Sequence, residues 1–193
     1  MQKPWVDSKI MATAQIQQAQ ELVDFWLEAG SAAWFTKNPA FDARFKQRFL
    51  SLHQAAARGE LDSWADHAVG SLALVLLLDQ FPRNAFRGTP AMFATDALAR
   101  RYARKAIDAG HIEQVAPELS LFFCVPFIHS EAIDDQRYGV ELYREFSPEA
   151  LSFAVDHCDI IARFGRFPHR NPVLGRQSTA DELQFLADGG FAG

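Results

Sequence analysis

Apolar residues recur along the chain at intervals of three and four, and residues that start and stop helices punctuate the stripes this makes. Thr13 stands where a cap belongs for a first helix carrying Ile16, Ala19, Leu22, Val23, Trp26 and Leu27, with Gly30 placed to end it. Asn38 followed by Pro39 is a second start, because proline in the first turn gives up only a donor that had no partner. Phe41, Phe45, Phe49, Leu52 and Ala56 then share one face up to Gly59. A third helix is expected from Asp62 to Leu78, apolar nearly all round after Val69 and therefore central, stopping at Phe81 before Pro82.

The second half repeats the pattern. Thr89 and Pro90 open a helix through Leu98, Tyr102, Ala106 and Ile107 to Gly110. Pro117 begins an apolar segment, Leu119 to Val125, which Pro126 interrupts. A polar helix from about Ser130 carries Ile133, Val140, Leu142, Tyr143 and Phe146, and Ser147-Pro148-Glu149 starts the next, with Leu151, Ala154, Cys158, Ile161 and Phe164 inward. Ser178 with Asp181, or Thr179 with Glu182, reads as a capping-box start to a last short helix. No segment alternates with period two as a strand would. The expected fold is all-α: antiparallel helical hairpins stacked in one domain over residues 13–193, after an N-terminal extension over residues 1–12. Tyr102, Ala103, Lys105, Ala106 and Ile107 resemble the second helix of a tetratricopeptide unit, whose small residues let two helices approach closely.

Composition adds detail to this picture. A chain of 193 residues, 49% apolar and 22% charged, has enough apolar surface for one core, and its 17 Phe and four Trp make that core aromatic. A net charge of -5 argues against nucleic-acid binding. The one basic cluster, Arg100, Arg101, Arg104 and Lys105, is flanked by Asp96 and Asp108 and reads as a solvated helix face. Cys124 and Cys158 are too few and too far apart for a disulfide framework or a zinc site, and suit reduced thiols in a cytoplasmic protein. The N-terminus lacks the pattern of an export signal, and the longest apolar run, Leu72 to Leu78, is far short of the roughly 20 residues that span a bilayer. With no glycine-rich phosphate loop or dinucleotide fingerprint, no nucleotide cofactor is expected. The rings of Trp26, Trp34, Phe35, Phe41, Phe45 and Trp64 are expected in the core.

Two segments stand out chemically. Phe81-Pro82-Arg83-Asn84 and Phe167-Pro168-His169-Arg170-Asn171 look like variants of one helix-ending turn, in which Arg and Asn serve unpaired helix carbonyls. That structural reading needs no ligand. A functional reading adds Arg87 and the segment His129-Ser130-Glu131: were Arg83, Asn84, Arg87, His129, His169, Arg170 and Asn171 to converge, they would line a cleft for an anionic small molecule or a peptide carboxylate. The same groups allow an acid-base enzyme, with His129, Glu131 and His169 as proton carriers and Arg83 or Arg170 steadying negative charge. The spacing of His129, Glu131 and His169 matches no metal motif, so no metal is expected. A protein-interaction scaffold is the third alternative.

Trp34-Phe35, Leu77-Leu78-Asp79-Gln80-Phe81-Pro82-Arg83-Asn84, Phe86-Arg87-Gly88-Thr89, the stretch Pro126 to Glu131 and the stretch Phe164 to Asn171 together resemble the bacterial family called domain of unknown function 924. The likeness runs from about Ala14 to Phe185 and departs at Ala85 and Ala91, where bulkier or charged residues are usual. It implies an all-helical, tetratricopeptide-like fold and carries no established activity.

Overall fold

The computed structural model describes the backbone of residues 5–193 and the side chains from residue 16 onward. Every regular element among the described residues is helical. Helix α1 (Trp5–Ala29) passes through Thr13 without a break, so Thr13 is not its cap. The extension expected over residues 1–12 lies outside the described side chains. After the short α2 (Ser31–Trp34), α3 (Pro39–Ala57) begins as its sequence predicts: Asn38 Oδ1 accepts from the N–H groups of Ala40 and Phe41.

The expected third helix is rearranged. Asp62–Asp66 is a 3-10 turn, His67 is extended, and α4 (Ala68–Val75) follows. Pro82 does not stop it. Leu76–Gln80 widens into a π turn, in which the N–H of Phe81 reaches back five residues to the Leu76 carbonyl, and the chain continues as α5 (Phe81–Ala85). A proline in a helix removes one donor and crowds the turn before it. Side chains from elsewhere satisfy the carbonyls of that turn: His53 Nδ1 donates to Leu77 O at 2.9 Å, and Thr95 Oγ1 to Leu78 O at 2.6 Å. His53 also stacks on Phe81 at 4.8 Å.

Pro90–Phe93 is only a 3-10 turn, so α6 (Asp96–Asp108) starts later than Thr89 and Pro90 suggest. The helices α7 (Pro117–Ile128), which carries Pro126 inside it, α8 (Ile133–Phe146), α9 (Leu151–Phe164) and α10 (Ala180–Ala187) complete the fold. Thr179 and Glu182 form a full capping box on α10. Consecutive helices pack on one another from α6 to α9, while α4 touches α1, α6 and α7 and forms the centre of a single domain.

Leu72 to Leu78 are fully buried, and Phe25, Trp26, Trp34, Phe41, Phe45 and Phe122 pack ring against ring beside them. Phe35 is the exception to the expected aromatic core: it is 63% exposed, touching Phe122 only along one side. The long helix α4–α5 ends on the side of the molecule where α7 also ends, and this places the candidate chemistry.

Candidate functional site

Asp79, in the π turn, is fully buried and is the centre of the polar cluster. His129, the cap residue after α7, places Nδ1 2.8 Å from Asp79 Oδ1, and Arg83, one turn along from Asp79, sets Nη1 3.2 Å from the same oxygen. Gln80 Nε2 donates to the other oxygen at 2.6 Å. Burial alone would raise the Asp79 carboxyl, but Arg83 and His129 hold it well below the usual carboxylate range. It is therefore ionised and can only accept, so the proton of the His129–Asp79 bond sits on Nδ1. Burial, with the Arg83 charge, lowers the His129 pKa against the opposing pull of Asp79. At neutral pH His129 is thus an uncharged imidazole with a lone pair on Nε2.

Asp96, at the start of α6, takes both forks of Arg83 at 2.8 and 3.0 Å. Its second neighbour is Arg170, whose Nη1 stands 3.9 Å from Asp96 Oδ2. Arg170 is 7% exposed and lies over the rings of Phe93 and Phe167, 4.6 and 4.4 Å from their centroids. Its Nε is buried with no hydrogen-bond partner among the described residues. Burial, reinforced by the Arg83 charge, brings the Arg170 pKa down to about 10, and the guanidinium remains charged at neutral pH.

His169 sits beside Arg170 on the 3-10 turn Pro168–Arg170, its Nδ1 also buried without a partner among the described residues. Burial first, then the Arg170 charge, lowers its pKa to about 4, and Glu131, His129 and Arg176 are also close enough to act on it. His157 of α9 joins the group. Its Nδ1 donates to Phe153 O at 2.8 Å, and burial, with His129 nearby, takes its pKa to about 4. The ring of Phe167 touches both histidines, 5.4 Å from His157 and 5.6 Å from His169.

Arg83 thus meets His129 at Asp79 and Arg170 at Asp96, and His169 stands beside Arg170 near enough to His129 for their charges to interact, although these residues come from helix ends far apart in the chain. Asn84 and Arg87 go elsewhere: both bind Asp42 of α3, at 2.7 and 3.3 Å. Glu131 and Asn171 belong to a third network. Arg176 grips Glu131 with both forks at 2.6 and 2.9 Å and donates to Asn171 Oδ1, while Asn171 and Arg166 both reach Glu182. No three His, Cys, Asp or Glu side chains among the described residues gather as metal ligands.

Three members of the cluster, Asp79, Asp96 and His157, are not among the site residues expected from the sequence. In the sequence Asp79 stands at the expected end of the third helix, just before Pro82. His157 carried a usable signal, because with Ala154 and Ile161 it keeps the three- and four-residue spacing of the buried face of α9. The two added carboxylates balance Arg83 and Arg170, so the cluster is not simply cationic. A separate cavity of about 300 Å³ lies beside it, lined by Ile160, Arg163, Phe164, Phe185 and Phe191 among others.

Fold and cluster together define an all-helical single domain with a buried Arg, His and Asp network where two long helices end. The chain belongs to the bacterial protein family of unknown function DUF924, which matches residues 22–190. It is similar to a solved structure of a protein of unknown function from Agrobacterium tumefaciens, at 50% identity, covering 90% of this chain and 98% of that one with a TM-score of 0.87. No curated protein matches it. No described helix is long and apolar enough to cross a membrane.

Proposed function

We propose that the protein binds a small ligand through a carboxylate or similar anionic group, held by Arg170 beside Arg83, His129 and His169. The observation that carries this reading is the state of Arg170. A buried guanidinium with an unbonded Nε and only a 3.9 Å ion pair is costly to the fold, and a planar anion at its edge would satisfy it. Arg83 does not need such a partner, since Asp79 and Asp96 already occupy its donors. A cytoplasmic setting suits the two unpaired cysteines.

The test is thermal melting against a panel of acetate, phosphate and short dicarboxylates, followed by the same panel on Arg170→Gln. A ligand at 100 times its dissociation constant should stabilise the fold by about 2.7 kcal/mol. The stabilisation should vanish in Arg170→Gln. A panel without effect on the unsubstituted protein, or an effect that survives Arg170→Gln, overturns the reading.

The Asp79–His129 bond favours a second reading, acid-base catalysis. A carboxylate that fixes the Nδ1–H tautomer leaves Nε2 as a base, the arrangement used to orient catalytic imidazoles. Glu131, tied to Arg176, is the least suited of the three proton carriers His129, Glu131 and His169. Packing of consecutive helices from α6 to α9 supports a tetratricopeptide-like arrangement, with the polar cluster as the reason to favour a ligand over a scaffold.

A further inference from the structure

The segment after α10 turns back over the cluster. Gly189, at φ 86°, takes a left-handed conformation that ends the helix. Gly190 crosses the face of Phe185 so closely that a Cβ would lie 2.5 Å from the ring, so that any larger residue must move the ring or the segment. Phe191 is thereby delivered onto both histidines, its ring 4.5 Å from His157 and 5.1 Å from His169, with Phe153 at 6.0 Å. Phe167 touches those two histidines and Arg170 alike, so Phe191 stands one residue removed from the guanidinium. Phe191 also lines the neighbouring cavity of about 300 Å³, where Ile160, Phe164 and Phe185 offer a displaced ring apolar contacts beside the charged Asp156, Asp159 and Arg163.

We propose that Phe191 is an internal occupant of an aromatic subsite formed by His157, His169 and Phe153, and that the ligand is a carboxylate carrying an aromatic ring, which displaces Phe191 as its carboxylate meets Arg170. The inference rests on the anion-binding reading above. Two features set the ligand class. The guanidinium lies over Phe93 and Phe167, so its donors, which lie in its own plane, are offered edge-on to a planar anion. The imidazoles beneath Phe191 already accommodate a benzene ring in tilted and edge-on contact, the geometries aromatic pairs prefer. A bare anion would use the first feature and leave the second unused.

An occupied subsite lowers the apparent affinity by the fraction of molecules in which it is open, and removing the occupant restores it. The experiment is calorimetric titration of acetate and phenylacetate into the full chain, into Phe191→Ala and into Gly190→Ala. The last variant keeps the Phe191 ring and forces the segment and Phe185 apart, so it serves should Phe191→Ala disturb folding. Phenylacetate should bind more tightly than acetate in every case, and either variant should tighten it by about tenfold or more while leaving acetate nearly unchanged. Arg170→Gln should lose both ligands. Equal binding of acetate and phenylacetate, or an equal gain for both in the variants, overturns the aromatic subsite and leaves the anion site standing. Absence of binding by either ligand in all forms overturns both.

Discussion

Asp79 decides the protonation of the residues around it. Its oxygens accept from His129, Arg83 and Gln80, and its burial leaves no water to replace any of them. Removing one partner of a buried ion pair strands the other, so Asp79→Ala should destabilise the fold by about 3 to 5 kcal/mol, read by chemical denaturation. A loss below about 1 kcal/mol would match an exposed pair and contradict the burial described. The tautomer is a separate prediction. Nitrogen-edited NMR at pH 7 should find His129 neutral with its proton on Nδ1, and Asp79→Asn should disturb that preference, because an amide can donate as well as accept. Proton on Nε2 in the unsubstituted protein would contradict the Asp79–His129 bond and with it the acid-base reading.

Among the elements, the π turn and the α7–α8 crossing carry the clearest tests. Thr95→Val keeps the shape of the side chain and leaves the Leu78 carbonyl without its donor, which should cost about 1 to 3 kcal/mol. At the α7–α8 crossing, a Cβ on Gly139 would meet Ile128 Cγ2 at 2.8 Å and Ile128 N at 3.3 Å. Gly139→Ala should therefore push the two helices apart and destabilise by about 1 to 3 kcal/mol, whereas an unchanged melting temperature would refute the tight crossing. The elements also show what a sequence can and cannot reveal. Asn38 with Pro39, and Thr179 with Glu182, are legible because a cap is made by residues no more than three positions apart. Pro82 read as a stop because the groups that let the helix continue, His53 and Thr95, lie on other elements. The candidate site divides in the same way. Arg83, His129, His169 and Arg170 showed themselves as polar residues at helix ends, whereas the pairing of Asn84 and Arg87 with Asp42, 42 and 45 positions away, depends on tertiary packing.

For the whole molecule, the cluster couples folding to pH. His157 and His169 titrate near pH 4 when folded, below the ordinary value of 6.5, because burial disfavours their charged forms. Between those values the unfolded chain binds more protons than the folded one, so stability should rise with pH through that window and be lost as pH falls from 6.5 toward 4. Denaturation midpoints measured from pH 4 to 7 in the unsubstituted protein and in His157→Gln test this: the variant should show a shallower slope, and an equal slope would remove His157 from the account. The same burial that makes the histidines sensitive to pH leaves Arg170 charged and short of a partner, and the central claim is that an anionic ligand supplies one. The Nε–H resonance of Arg170, assigned by its loss in Arg170→Gln, reports on that group directly. On titration with phenylacetate it should shift in a saturable manner and become slower to exchange with water, while the Nε–H of Arg58, an exposed arginine paired with Glu60, stays in place. An Arg170 resonance that does not move at saturating ligand would contradict the anion site.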